Sequence, residues 1–179
     1  MHLVEVKDSH TVRQFLEVNR EMNQSNPCYI SPLDNEVIEV FDTEKNHLHQ
    51  FGQSIRWILQ DNNGKTIGRI AAFTNSKYKT RGTDVPIGGI GFFDCIQDQQ
   101  AANKLFDCAK AWLQSKGMEG MDGPINFGER DKWWGLMVEG FDEEPMYGMS
   151  FNPAYYQDLF EQYGFSNYYN QYYYGMNVH

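Results

Sequence analysis

Glu129, Asp131 and Glu139 surround Trp133 and Trp134 in a segment that also holds Phe141, Met146, Tyr147 and Met149. A carboxylate held against indole rings is poorly hydrated, which raises its pKa toward the range of a general base. Glu129 is the candidate for that role, with Trp133 and Trp134 as substrate contacts; solvated loop acids are the other reading of the same residues. His47 and His49 are the one close histidine pair, and alternate positions on a strand can share a metal ion. No Cys or carboxylate completes a ligand set there, so no metal site is expected. Gly148-Met149-Ser150-Phe151-Asn152 lacks the second glycine of a nucleophile elbow and follows no strand, which sets serine hydrolase chemistry aside. Cys28, Cys95 and Cys108 form an odd set without C-x-x-C spacing, fitting small buried thiols in a reducing compartment.

The elements that must position these residues are legible from periodicity. His2 to Val6 alternates as a short strand, and Asp8 or Ser9 then caps a helix carrying Val12, Phe15, Leu16 and Met22. Two prolines break the stretch from Asn26 to Asp34, after which Val37, Ile38, Val40 and Phe41 suggest a short second helix. Ser54–Gln60 and Lys65–Phe73 flank Asp61-Asn62-Asn63-Gly64, whose Asn-Gly pair favours the positive φ of a tight hairpin. A polar segment from Asn75 to Asp84 leads into a glycine-bearing strand, Val85 to Ile96. Asp98 to Lys116 carries Ala101, Ala102, Leu105, Phe106, Ala109, Trp112 and Leu113 on one stripe, with Gly117 as its stop. A short strand around Met121 to Ile125 precedes a loop of roughly 25 residues, Asn126 to Ser150. That loop is too apolar for a tether and should fold back over something. A helix from Asn152 or Pro153 to Tyr163 and a final strand after Gly164-Phe165 complete the order β, α, α, β, β, β, α, β, α, β. Tyr168, Tyr169, Tyr172, Tyr173 and Tyr174 on that last strand would point to both faces, implying two-sided burial or an interface such as a homodimer's.

Composition bounds the function. The chain has 179 residues, 41% of them hydrophobic and 15% aromatic, enough apolar surface for one folded domain spanning 1–179. A formal net charge of −9 is the wrong sign for phosphate neutralisation, so neither nucleic acid nor an anionic membrane is an expected partner. No basic start followed by an apolar run and no long apolar window is present, giving a cytoplasmic protein as the expectation. A negative surface steers cationic amines, a pointer toward polyamine-like or lysine-like acceptors.

The hairpin unit, the glycine-bearing strand running into an apolar helix, and the helix ending in Tyr163-Gly164-Phe165 together resemble the GNAT superfamily of acyl-CoA-dependent N-acyltransferases. Gly123-Pro124-Ile125-Asn126-Phe127, Gly135 to Asp142, Asn152-Pro153-Ala154-Tyr155-Tyr156 and Ile67-Gly68-Arg69-Ile70-Ala71-Ala72 look like a bacterial branch of it, whose members often continue well beyond this length. The resemblance implies an α/β (α+β) fold, a mixed, mostly antiparallel central sheet with helices on both faces. It also implies acetyl-CoA or another acyl-CoA as co-substrate, and direct attack of a small-molecule or peptide amine on the thioester. In the superfamily the loop before the apolar helix reads Arg or Gln, two residues, Gly, one residue, Gly or Ala, and its amides bind the cofactor pyrophosphate. Here Gln97 and Ala102 match, Gln100 stands at the first glycine, and Asp98 adds a repelling charge. Ala101 lies within the same stretch, and Lys104 one turn on would offset the charge. The resemblance further places Phe93, Asp94 and Cys95 where pantetheine pairs with open backbone groups. The family's proton-donating tyrosine position is Phe160 here, and Tyr156, one turn earlier on nearly the same face, is the candidate substitute. Gln100 and Phe160 equally fit a second reading, a catalytically inactive GNAT-fold module that binds or assembles through the Trp-rich loop and the tyrosine strand.

Overall fold

The computed structural model describes residues 1–78 and 84–176. Five strands, β1 (His2–Glu5), β2 (Gly52–Gln60), β3 (Thr66–Asn75), β4 (Ile87–Cys95) and β5 (Gly120–Asp122), form one sheet in sequence order. Every pairing is antiparallel except β4 with β5, which is parallel. The expected hairpin is present: Asp61 accepts from the amides of Asn63 and Lys65, and Gly64 takes the positive φ, 82°, that the turn requires.

The helices cover both faces. α1 (Ser9–Asn23) starts at an Asp8–Thr11 capping box and buries Phe15 with Val37 of α2 (Asp34–Val40) against Val6, Ile58 and Ala71. On the other face α3 (Gln99–Ser115) inserts Ala101, Ala102, Leu105, Phe106, Ala109 and Leu113, and α4 (Tyr156–Tyr163) adds Tyr156, Leu159 and Phe160. Phe93 and Phe106 stack at 4.7 Å, with the Phe160 ring edge-on to both. No helix among the described residues is long and apolar enough to cross a membrane.

Three expectations need correction. No strand follows Phe165 among the described residues, and the side chains of Tyr168, Tyr169, Tyr172, Tyr173 and Tyr174 are exposed rather than buried on two sides. A tyrosine run fits a pleated, half-buried surface only when a neighbouring strand supplies one. β5 presents three residues before the chain turns at Gly123-Pro124, and the tail finds no ladder among the described residues. His47 and His49 sit on a 3-10 turn, His47–Gln50, rather than on alternate positions of a strand. α4 starts at Tyr156, later than Asn152 or Pro153, because Asn152 is committed elsewhere, as described below. The polar segment expected from Asn75 to Asp84 lies partly outside the described residues.

Candidate active site

β4 is paired on both sides only over its first half. Its ladder with β5 ends at Gly89–Asp122, with one further bond from the Ile125 amide to the Ile90 carbonyl. A Cβ at Gly91 would stand 1.9 Å from the Ile125 carbonyl oxygen, so only glycine admits this approach. At the next residue β4 bulges: the register with β3 slips between Arg69 and Ala71, and Phe92 adopts φ 49°. Trp133, at φ 45°, packs its ring 5.5 Å from that of Phe92. These are the two non-glycine residues of positive φ among the described residues, each costing about 1–3 kcal/mol unless its surroundings hold it. Both line one cavity.

That cavity encloses about 80 Å³. β3 and β4 supply its floor, α1 and the loop to α2 one wall, the segment from Pro124 to Asn152 the other, and α4 its end. At the floor Arg69 and Asp94 are 4% and 1% exposed and form an ion pair at 2.6 Å. Asp94 also accepts two bonds from Asn19 Nδ2, at 3.0 and 3.2 Å, and one from the Tyr156 hydroxyl at 3.0 Å. Arg69 donates from Nη1 to the Phe15 carbonyl at 2.8 Å and lies over the Phe15 ring. Buried charges persist when paired and fully hydrogen-bonded, and Asp94 uses the whole acceptor capacity of a carboxylate. Tyr29 donates to Asn19 Oδ1 at 2.6 Å, tying the loop before α2 into the same network.

Tyr156 is 1% exposed, and burial, then the Asp94 charge, push its pKa well above 10. It holds its proton and gives it to Asp94 as a hydrogen bond, while its oxygen accepts from the Cys95 amide at 2.9 Å. Tyr155 donates to the Cys95 carbonyl at 2.7 Å and is itself pushed up to about 12, chiefly by burial. The two hydroxyls thus occupy the N–H and C=O of Cys95, a residue that pairs with Gly68 of β3 but lies beyond the end of the β5 ladder. Burial raises the Cys95 thiol to about 12, so it is no nucleophile at neutral pH.

The wall opposite α1 is the long loop, folded back as its composition suggested. Asn152 pairs with the Met137 backbone as a strand residue would, accepting from its N–H at 2.9 Å and donating to its C=O at 3.1 Å. Lys132 bonds Glu36 of α2 at 2.9 Å and the Tyr147 hydroxyl at 3.0 Å, and Tyr147 also donates to Glu36. Asn26 donates to the Phe141 carbonyl, and Tyr29 packs on Phe151. These contacts latch the loop onto α2 and the segment before it.

The sequence-derived candidates separate on this framework. Phe93, Asp94, Trp133 and Tyr156 line the cavity. Trp134 turns away, packing on Tyr78 with Arg130 over its ring. Glu129, Asp131 and Glu139 are exposed and line no part of the cavity, so the indole-packed base expected at Glu129 is not formed. At the start of α3, the Asp98 carboxylate accepts from the amides of Gln100 and Ala101 at 2.7 and 3.1 Å and fills the helix N-terminus itself. Ala102 is buried in the core, Gln97 and Gln100 are exposed, and Lys104 donates to the Met1 carbonyl at 2.5 Å. Sequence reasoning missed Asn19, Tyr29, Arg69 and Asn152. Arg69 had a signal: a charge inside Ile67-Gly68-Arg69-Ile70-Ala71-Ala72 must find a partner when that strand is buried.

No family model matches the chain. It is 25% identical over 166 residues, 93% of this chain and 43% of the other, to a Caulobacter vibrioides protein named bacterial ceramide synthase. It is 35% identical over 103 residues, 57% of this chain and 26% of the other, to the Escherichia coli protein YghO. The chain therefore spans less than half the length of the curated relatives it matches. Among solved structures, the aminoglycoside 6'-N-acetyltransferase AAC(6')-IG from Acinetobacter haemolyticus superposes with a TM-score of 0.56 at 11% identity, over 99% of both chains. AAC(6')-Iy, in complex with a CoA-linked bisubstrate analogue, gives 0.57 at 12% identity over 99% of this chain and 98% of that one. Glucosamine-6-phosphate N-acetyltransferase from Arabidopsis thaliana gives 0.52 at 12%, over 99% of this chain and the whole of the other.

Proposed function

The chain has the fold of the GNAT acetyltransferases, and from that premise we propose that it transfers an acyl group from acyl-CoA to an amine bound in the cavity. The observation that carries this reading is the half of β4 that has β3 on one side and no strand on the other, at the cavity floor. Its Cys95 N–H and C=O are held by two hydroxyls where an amide of the pantetheine arm would pair as an added strand does. In this reading Tyr155 and Tyr156 yield those backbone groups to the cofactor, the thioester comes to lie beside the Phe92 bulge, and the amine approaches from the Asn19 side. The amine nitrogen attacks the acyl carbon, the C–N bond forms as the C–S bond breaks, and the thiol leaves with the proton the amine loses. Tyr156, kept protonated by burial, turns its one O–H from Asp94 to the departing sulfur as a hydrogen-bond donor rather than a titrating acid, while Arg69 and Asn19 continue to hold Asp94. The names of the similar proteins, N-acetyltransferases and a ceramide synthase, fit acyl transfer to an amine.

The test is calorimetric titration with acetyl-CoA, a longer acyl-CoA and free CoA, followed by thiol release in the presence of amines. Micromolar binding, with Tyr156→Phe slowing turnover while acyl-CoA affinity holds, supports the transferase. A second reading, a module that binds partners without catalysis, is favoured by one observation: the Asp98 carboxylate occupies the amides that a pyrophosphate would need. Absence of both heat and thermal shift with every CoA species selects that second reading.

A further inference from the structure

The cavity encloses about 80 Å³, well below the roughly 300–1,000 Å³ of a site that takes a drug-sized ligand. An amine and a thioester cannot meet in it until a wall moves, and the two walls differ in what holds them. On the α1 side, Asn19 is tied into the floor through the buried Arg69–Asp94 pair. The opposite wall comes from residues 123–155, which form neither helix nor strand. Two pins fix this segment to itself: Asn152 holds both backbone groups of Met137, and the Trp133 N–H donates to the Gly148 carbonyl at 2.7 Å. Between the pins, residues 138–147 are exposed except for the half-buried Phe141 and Pro145. Glu139, Asp142, Glu143 and Glu144 repel one another there and take no ion pair among the described residues. Few buried contacts and mutual repulsion are the marks of a segment that opens locally, well short of global unfolding.

What keeps the segment shut is a set of holds from the other wall. Asn26 donates to the Phe141 carbonyl at 2.8 Å, and the Cys28 thiol donates to the Asp142 carbonyl at 3.2 Å. The Tyr147 hydroxyl donates to Glu36, which Lys132 also grips. All three holds come from residues 26–36, the stretch that carries the cavity-lining Tyr29, Ile30 and Pro32. On its own side the segment runs straight into the lining residues Leu136 and Met149, each one residue beyond a pin. Gly140 and Gly148 sit at φ 79° and 81°, positions where the backbone rotates without a Cβ in the way.

We propose that residues 138–147 are a strap between the two walls, which opens by letting go of Asn26, Cys28 and Glu36, pivots on Gly140 and Gly148, and closes once a substrate is inside. Opening lets the walls part and enlarges the cavity, and closure excludes water from it. The strap depends on the acyltransferase reading only where turnover is the readout.

The experiment locks the strap and then loosens it. Asp142→Cys in the full chain sets a second thiol beside Cys28, and oxidised glutathione joins the two as a disulfide while being reduced to two glutathione thiols. Peptide mass spectrometry reports the bond. The locked protein should keep its acyl-CoA affinity in calorimetry and lose most of its amine-dependent CoA release, followed by chromatography, and dithiothreitol should restore that release. Full turnover by the locked protein overturns the strap, and so does a bond that does not form, because the two positions are then not adjacent in the closed state. The second measurement needs no turnover. Tyr147→Phe and Glu36→Ala act at the hold farthest along the chain from Cys28, and each should quicken alkylation of Cys28 by iodoacetamide, read on its own peptide, by about two- to tenfold. Cys95 and Cys108, whose thiols burial raises to about 12 and about 11, are the references. An unchanged Cys28 rate overturns the strap, and so does an equal rise at all three thiols, which marks general loosening. If no acyl-CoA binds, the transferase reading falls by itself, and the disulfide and alkylation results still decide the strap.

Discussion

Two aspartates four residues apart solve opposite problems. Asp94, on β4, is buried, neutralised by Arg69 and saturated with donors. Asp98, before α3, is half-buried and neutralises nothing but a helix end. The first is held by charges that cannot find water elsewhere, and the second by two amides that water or an anion would satisfy equally well. The difference separates a saturated cavity floor from a helix cap, and in the acyltransferase reading it is the Asp98 cap, not the floor, that a cofactor pyrophosphate would have to displace.

The largest effect should come from breaking the floor. Asp94→Asn leaves Arg69 buried beside a neutral amide, and urea denaturation should register a loss of about 3–5 kcal/mol. Replacing both partners by apolar residues should recover much of it; a double variant as unstable as the single one would show that the pair is not the source. The plug is the next test. Asp98→Ala should cost about 0.5–2 kcal/mol through loss of the cap. Asp98→Ser keeps a cap hydroxyl while removing the charge, and acyl-CoA should bind it several-fold tighter in calorimetry. Equal affinity in wild type and the serine variant would mean that the pyrophosphate does not reach α3.

The latch between Glu36 and Lys132 is weaker and titrates. Hydrogen bonds from Tyr147 and then Lys132 hold the Glu36 carboxyl below its ordinary value of 4.5. A lowered folded value means the contribution is complete above about pH 4.5 and is lost as pH falls through the lower value. Hydrogen exchange across the 126–150 loop should accelerate in that acid window in wild type, and Glu36→Gln should be faster already at neutral pH. The partly buried pair should change global stability by no more than about 1 kcal/mol. Smallest of all, Tyr172→Ser and Tyr174→Ser, in the exposed tail, should shift stability by less than about 0.5 kcal/mol. A larger change in thermal unfolding would show that these rings are covered in solution.

What the sequence determined is what local rules determine. Asp8 and Thr11, the Asn63-Gly64 turn and the apolar stripe of α3 act within a few residues, and the order of elements up to α4 follows from them. The mixed sheet with helices on both faces follows in turn, because each amphipathic element has to bury one side. The tail failed the same reasoning because strand formation is not local: five tyrosines have the propensity, and no neighbour among the described residues supplies the ladder. The site was legible only in part. Tyr156, Trp133, Phe93 and Asp94 stood out by type or position, while Glu129 and Trp134 were grouped with them merely by proximity along the chain. Only the tertiary structure decided that Arg69 meets Asp94 across a bulged register, that Asn19 and Tyr29 arrive from α1 and the loop after it, and that Asn152 pins Met137. The reason is physical: a buried charge has to be satisfied by whatever the fold brings within about 3 Å, and which residue that is depends on contacts spanning up to 75 positions of chain.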